Sequence, residues 1–224
     1  MTSLAISPAR LPDLVILTRV ALAFAVLGLF SLPSPYPAAG LVLTVVAIAM
    51  DGLDGYLARR LGVASDTGAV LDITGDRIVE HVFWIYFAVT GLVPVWVPLL
   101  IVSRSFTVDA IRSVALTAGK TAFGEKTMQR SSLSRFLVAS RAMRSVYGVT
   151  KLASFILLGL LVVLGGAHPQ RGALTALAGW VVLSTVAICV ARALPVIWDA
   201  RSFFKHPRRL EPRPRRPRPP RERG

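Results

Sequence analysis

Apolar and polar positions alternate in long blocks along this chain. Six blocks are almost wholly apolar: residues 14–32, about 38–58, about 68–88, about 98–115, about 147–164 and about 172–193. Each is close to the roughly 20 residues that a helix needs to cross a hydrocarbon core. Three of the breaks between them, Leu32-Pro-Ser-Pro-Tyr-Pro, Thr90 to Pro98 and Gly165-Gly-Ala-His-Pro-Gln, are uncharged and rich in turn formers. Pro12, Pro94 and Pro98 stand where helices begin, the position proline tolerates best. The pattern predicts an all-α fold, a polytopic membrane protein of six transmembrane helices.

Two segments depart from this pattern. Residues 118–146 hold Lys120, Lys126, Arg130, Arg135, Arg141 and Arg144 against Glu125 alone, interspersed with Phe136, Leu137, Met143 and Val146. That composition predicts a basic amphipathic helix on the membrane surface. Residues 205–224 are rich in Pro and Arg and have no apolar periodicity, so disorder is expected there. The domain reading is a membrane-embedded unit at 1–204 and a basic tail at 205–224.

Composition sharpens this picture. Of 224 residues 54% are apolar, with a mean hydropathy of +0.60, too apolar for an ordinary soluble domain. The net charge of +14 is localised, since the tail alone has nine Lys/Arg against two Glu. The loops after the first, third and fifth blocks carry only Arg171. Those after the second and fourth, and both termini, carry the Lys and Arg. The positive-inside rule then places both termini at the cytoplasmic side of the cytoplasmic membrane. The basic segments suit anionic lipid head groups, at about 1 kcal/mol per residue near the surface, and no nucleic-acid partner is expected. Cys189, a lone cysteine in an apolar block, is expected to pack rather than to pair. No cleavable signal peptide is expected, because the first block contains Arg19 and lacks a small-residue cleavage site.

Four carboxylates interrupt the apolar pattern within 26 residues: Asp51, Asp54, Asp72 and Asp76. Carboxylates are expensive in a membrane span and mark a functional site by default. Asp51 and Asp54 share one helix face by their spacing of three, and Asp72 and Asp76 share another by their spacing of four. The two helices run antiparallel around a loop near residue 63, so Asp51 faces Asp76 and Asp54 faces Asp72 at similar depth. Four ionised groups so close need a cation. Oxygen ligands without His or Cys suit Mg²⁺, Mn²⁺ or Ca²⁺, and four Asp have room for two ions, as in sites that handle phosphate esters. Gly55, Ala58 and Gly68 remove bulk beside the acids, and Arg59 supplies a charge suited to phosphate. A cation transporter or a set of ion pairs is the alternative of another class.

These residues resemble the signature of the CDP-alcohol phosphotransferases, D-x-x-D-G-x-x-A-R-x8-G-x-x-x-D-x-x-x-D, with all eight fixed positions present: Asp51, Asp54, Gly55, Ala58, Arg59, Gly68, Asp72 and Asp76. The resemblance covers these 26 residues directly. It implies a homodimeric enzyme that binds CDP-diacylglycerol and two divalent metals, Mg or Mn. Such an enzyme transfers the phosphatidyl group to an acceptor hydroxyl and releases CMP. It implies that Asp51, Asp54 and Asp72 hold metal and that Asp76 combines metal binding with general-base work. Gly55, Ala58, Arg59 and Gly68 would contact the CDP moiety.

The acceptor is less marked. Leu11-Pro12-Asp13-Leu-Val-Ile-Leu-Thr18-Arg19 resembles the P-N-x-L-T-x-x-R opening of phosphatidylglycerophosphate synthases, with Asp13 in place of Asn. Arg104 with Arg112, and Gly148 to Lys151, also resemble features of that subfamily, although the Thr and Gln that usually follow the Lys are absent. That resemblance implies glycerol 3-phosphate. Asp76-Arg77, where that subfamily has Asp-Lys, is closer to the phosphatidylinositol-phosphate synthases, which leaves an inositol phosphate as the alternative. In both cases Arg104, Arg112 and Lys151, cations within or at the edge of apolar blocks, would be paired by a phosphorylated polyol. Arg112 could instead pair with Asp109, and Arg19 with Asp13 or with one of the cluster. Glu80 is expected to pair with Arg77 at i, i+3 and His81 to pack.

Overall fold

The computed structural model describes residues 11–50, 60, 66–117, 132–166 and 168–205. These form seven helices and no strand: α1 Leu11–Phe30, α2 Tyr36–Ala49, α3 Asp66–Val89, α4 Trp96–Thr117, α5 Ser132–Ala139, α6 Arg141–Leu164 and α7 Arg171–Lys205. The six long helices close into a ring. In order around it, α1 packs on α2, α2 on α6, α6 on α7, α7 on α4, α4 on α3, and α3 back on α1. The short α5 lies against α6 and α7.

Each helix turns one stripe inward. In α1 the buried positions are Ile16, Arg19, Ala23, Val26 and Phe30, at steps of three and four. Four of these are apolar and the other is Arg19. Around Phe30 the interior is aromatic. Phe83 stacks on Phe155 with ring centroids 5.0 Å apart, and Trp84 meets Phe155 edge-on at 5.0 Å. Phe87 joins Phe30 and Phe155 at 6.2 and 6.1 Å. This cluster ties α1, α3 and α6 together, and such aromatic pairs add about 0.5–1.5 kcal/mol each beyond their burial. Gly159 is needed for it: a Cβ there would lie 3.0 Å from both Phe30 Cζ and Leu41 Cδ1. A buried hydrogen bond of 3.0 Å between the Ser154 and Thr185 hydroxyls joins α6 to α7. Small residues and interhelical hydrogen bonds are what hold helices together when lipid surrounds them.

The outer surface fits lipid. Leu17, Phe24, Val42, Val89, Leu99, Phe106 and Trp180 are each more than half exposed. By length and composition, Asp13–Phe30, Arg141–Leu164 and Arg171–Arg201 can each cross a membrane, and Tyr36–Ala49 is a shorter apolar helix. α3 and α4 carry more charge because they furnish the site described below. The bundle is polarised along its axis. Most of its charged side chains fall in the first halves of α1, α3 and α6 and the second halves of α4 and α7, with Glu80 and Arg104 near the middle of their helices. At the other end Arg171 donates through Nη1 to the Leu161 carbonyl at 2.9 Å and to the Gly165 carbonyl, capping α6 rather than leaving a free charge.

Four elements differ from the sequence expectation. The second block, expected to stay helical to about residue 58, ends as α2 at Ala49 with Met50 as its C-cap. The fifth long helix begins at Arg141 rather than 147, because the Ser140 hydroxyl accepts from the Met143 amide at 3.1 Å and caps it there. Met143 and Val146 therefore belong to α6. The expected surface helix is described only as α5, eight residues with Val138 buried and Phe136 exposed; 118–131 lie outside the described residues. The sixth block continues past residue 193 to Lys205, through Pro195. Packing of Ala193 and Val196 against Val108, Ala115 and Val138 holds this extension. At about 1.5 Å per residue, the 35-residue α7 is roughly 50 Å long and outruns the hydrocarbon core. Trp198 near its end is exposed, with the Arg201 guanidinium 4.4 Å over its ring. The tail, 206–224, lies outside the described residues.

Candidate active site

Asp72 and Asp76 occupy successive turns of α3, one face apart by a single helical turn, and both side chains are under half exposed. Behind them stands Arg19. Its Nη2 lies 2.6 Å from Asp76 Oδ1 and 3.8 Å from Asp72 Oδ1, with the Arg19 side chain 1% exposed. The partner of Arg19 is thus the acidic pair and not Asp13. Gly68 lies one turn before Asp72, half-buried. Asp51, Asp54, Gly55, Ala58 and Arg59 lie outside the described residues.

A cavity of about 330 Å³ opens beside Asp76 between α1, α2, α3 and α6. Arg19, Asp76, Glu80 and Lys151 are its charged lining, and Val79 and Phe155 are part of its apolar wall. One turn beyond Asp76, Glu80 is 2% exposed and fully engaged. It accepts from the Tyr147 hydroxyl through Oε1, and its Oε2 lies 3.4 Å from Arg77 Nη1 and 3.8 Å from Lys151 Nζ. Arg77 also donates to Asp109 on α4, at 3.0 Å from Nε and 3.4 Å from Nη2. The expected Arg77–Glu80 pair is present but is one link in a chain crossing α3, α4 and α6. Arg112 reaches Asp109 only at 3.9 Å, and Arg77 is the nearer partner of that carboxylate. His81 packs against the Phe106 ring at 6.2 Å, and Cys189 is fully buried.

Positive charge exceeds negative in this neighbourhood. Arg77, Arg104, Arg112, Lys151 and Arg192 lie within electrostatic range of one another or of the two carboxylates Glu80 and Asp109. Several of their donors have no acceptor among the described residues: Nε of Arg104, Nε of Arg112, and Nε and Nη1 of Arg192 are buried without one. Buried donors left open are costly, and arginines with converging open donors suit a phosphate. Arg104, Arg112 and Lys151 are thus brought to one region, with Lys151 lining the cavity that Asp76 also lines. Sequence reasoning missed Arg192, whose guanidinium also sits 5.8 Å over the Tyr147 ring. Arg192 lies on one buried stripe of α7 with Thr185, Cys189, Val196 and Asp199, at helical spacing that the packing of α7 reveals. Sequence reasoning also missed Tyr147 as the partner of Glu80.

Asp72 and Asp76 fit a hard divalent cation. They offer oxygen donors one turn apart, partly open to solvent. Of the four acids singled out in the sequence, the described residues supply two, beside the neighbouring cationic wall.

A family model described as CDP-alcohol phosphatidyltransferase matches residues 9–191. A "CDP-diacylglycerol--glycerol-3-phosphate 3-phosphatidyltransferase" of Bacillus subtilis is 33% identical over 82 residues, 37% of this chain and 42% of that protein. One of the same description from Pseudomonas fluorescens is 35% identical over 117 residues, 50% of this chain and 59% of that protein. An "Archaetidylinositol phosphate synthase" of Aeropyrum pernix is 28% identical over 113 residues, 50% of this chain and 57% of that protein. The matched segments span about half the length of these relatives. The family match, by contrast, runs from the start of α1 into α7 and takes in every helix of the ring, so the chain belongs to the CDP-alcohol phosphatidyltransferase family.

Proposed function

We propose that this chain transfers the phosphatidyl group of CDP-diacylglycerol to the hydroxyl of a phosphorylated polyol, glycerol 3-phosphate first, and releases CMP in phospholipid biosynthesis. The observation that carries this is the shared cavity: Asp76, a carboxylate able to take a proton, and Lys151, a cation able to hold a phosphate, line the same 330 Å³ space.

Asp51, Asp54, Asp72 and Asp76 would hold two divalent ions, Mg or Mn. When bound, these neutralise the pyrophosphate and stabilise charge at the phosphorus under attack. The protein's own residues do the rest. Gly55, Ala58, Arg59 and Gly68 hold the CDP moiety. Arg104, Arg112, Lys151 and Arg192 hold the acceptor phosphate, which orients the polyol with a hydroxyl towards Asp76. Asp76 takes the hydroxyl proton, the oxygen forms a bond to the β-phosphorus, and the bond from that phosphorus to the CMP oxygen breaks. The apolar wall at Val79 and Phe155 limits water as a competing acceptor.

Inositol phosphate is the second acceptor to test. Arg77 follows Asp76, and one of the relatives is named for an inositol phosphate product. Cation transport is disfavoured by the aromatic cluster of Phe30, Phe83, Phe87 and Phe155, which occupies the interior beyond the acids. The same reading takes six spans, residues 1–204 as the membrane domain, both termini and the site at the cytoplasmic face, and a homodimer.

The test uses purified protein in detergent with CDP-diacylglycerol and Mg²⁺. Glycerol 3-phosphate, an inositol phosphate, serine and inositol are screened as acceptors, scored by CMP release and product mass. Activity with a phosphorylated acceptor, lost on chelation and restored by Mg²⁺ or Mn²⁺, is expected. Absence of CMP release with every acceptor overturns the enzyme assignment; preference for uncharged acceptors overturns the role of the cations.

A further inference from the structure

Arg19 is the most deeply buried charged side chain among the described residues. It takes a core position in the α1 stripe between Ile16 and Ala23, and 1% of its side chain is exposed. A guanidinium at such depth is retained only where anions meet it. Two of them come from successive turns of α3. The 2.6 Å contact is to Asp76 Oδ1 and the 3.8 Å contact is to Asp72 Oδ1, both from the same Nη2. Arg19 is also part of the cavity lining, beside Asp76.

The approach depends on Gly75. This residue lies between the two acids on the face of α3 that meets α1. A Cβ at this position would stand 2.7 Å from Ile16 Cγ2 and 3.2 Å from Arg19 Nη2. Any side chain there would push α1 and α3 apart, or turn the guanidinium away from Asp76. The missing Cβ and the buried arginine are therefore one device.

We infer that Arg19 is a positioning residue for Asp76. Resting on the phosphatidyl-transfer reading, it holds Oδ1 from the interior side and so fixes the rotation of the carboxylate against the cavity where the acceptor hydroxyl is deprotonated. A planar guanidinium fixed by the helix–helix contact sets a direction; an ammonium on a flexible stem supplies charge without it. The same Nη2 lies within 4 Å of both acids, but its hydrogen-bonded contact is to Asp76 alone of the two, the Asp72 oxygen standing more than 1 Å farther off.

The consequence is a split between binding and turnover. Arg19→Lys keeps the charge but loses the plane. It is expected to lower kcat roughly 10- to 100-fold, the scale of a misplacement of about 1 Å. KM for CDP-diacylglycerol and for the acceptor, and Mn²⁺ affinity read by electron paramagnetic resonance, stay at wild-type values. Gly75→Ala, which leaves every charge in place, is expected to lower kcat in the same way. Adding Ile16→Ala to it removes the nearest clash and recovers part of the loss.

Wild-type kcat in Arg19→Lys overturns the inference. So does a kcat loss matched by an equal loss of Mn²⁺ affinity, which would make Arg19 a builder of the metal site only. If Arg19→Lys does not fold, Gly75→Ala alone decides: unchanged kcat overturns the inference, and a loss reversed by Ile16→Ala supports it. A wild-type protein that releases no CMP fails the function itself, a result visible before any variant is made.

Discussion

Arg192 carries two buried nitrogens, Nε and Nη1, that meet no acceptor among the described residues, and it faces the same region as Arg104 and Arg112. A charged hydrogen bond to a phosphate contributes about 1.5–3 kcal/mol, so Arg192→Gln is expected to raise the acceptor KM about 10- to 100-fold. The KM for CDP-diacylglycerol should not change; steady-state kinetics with each substrate varied in turn checks this. Asp76→Asn should behave in the opposite manner, binding CDP with normal affinity while turnover falls about 10²- to 10⁴-fold. Turnover near normal in that variant removes Asp76 as the base. The two residues were not equally legible. Asp76 stands in a dense motif of acids and small residues, where a membrane context makes every carboxylate conspicuous. Arg192 stands alone at the end of an apolar block, where snorkelling to the surface is the ordinary fate of a cation. Only the packing of α7 against α4 and α6 turns it inward. Arg19 was visible as a cation needing an anion, but two sets of acids were within reach by sequence. The choice belongs to the α1–α3 contact, which Gly75 permits.

At the scale of the helices, ends were read to within a few residues where turn chemistry is local. α3 and α4 begin and end close to the breaks that Pro94 and the uncharged loop mark. The start of α6 was misplaced because the basic residues 141 and 144 drew the boundary to 147, whereas the Ser140 cap sets it. The length of α7 was missed for a different reason. Pro195 reads as a terminator, and only a tertiary contact with Val108 and Val138 overrides it. Interhelical contacts of this kind can be tested at Gly159. Gly159→Leu drives a side chain into Phe30 and Leu41, and overpacking of this type costs about 1–3 kcal/mol. Thermal unfolding in detergent should show the loss, while Gly148→Leu, where nothing lies within 4 Å of a Cβ, should unfold like the wild type. Equal stability of the two variants would mean that the α1–α2–α6 junction is looser than its contacts imply.

The molecule as a whole is a ring of helices with charge at one end and rings of carbon at the other. This polarity makes the orientation testable. Cys189 is fully buried, so introduced thiols report against a low background. His168→Cys, in the turn at the uncharged end, should react with a membrane-impermeant maleimide added to intact cells, and Gly224→Cys only after permeabilisation. The reverse pattern would invert the topology.

The aromatic cluster has a consequence for lipid traffic. Among the described residues, Phe30, Phe83, Phe87 and Phe155 fill the bundle interior on the side away from Asp72 and Asp76. A head group cannot follow a path without hydrogen-bond partners. On the proposed phosphatidyl transfer, the lipid product would be delivered into the leaflet that faces the charged end.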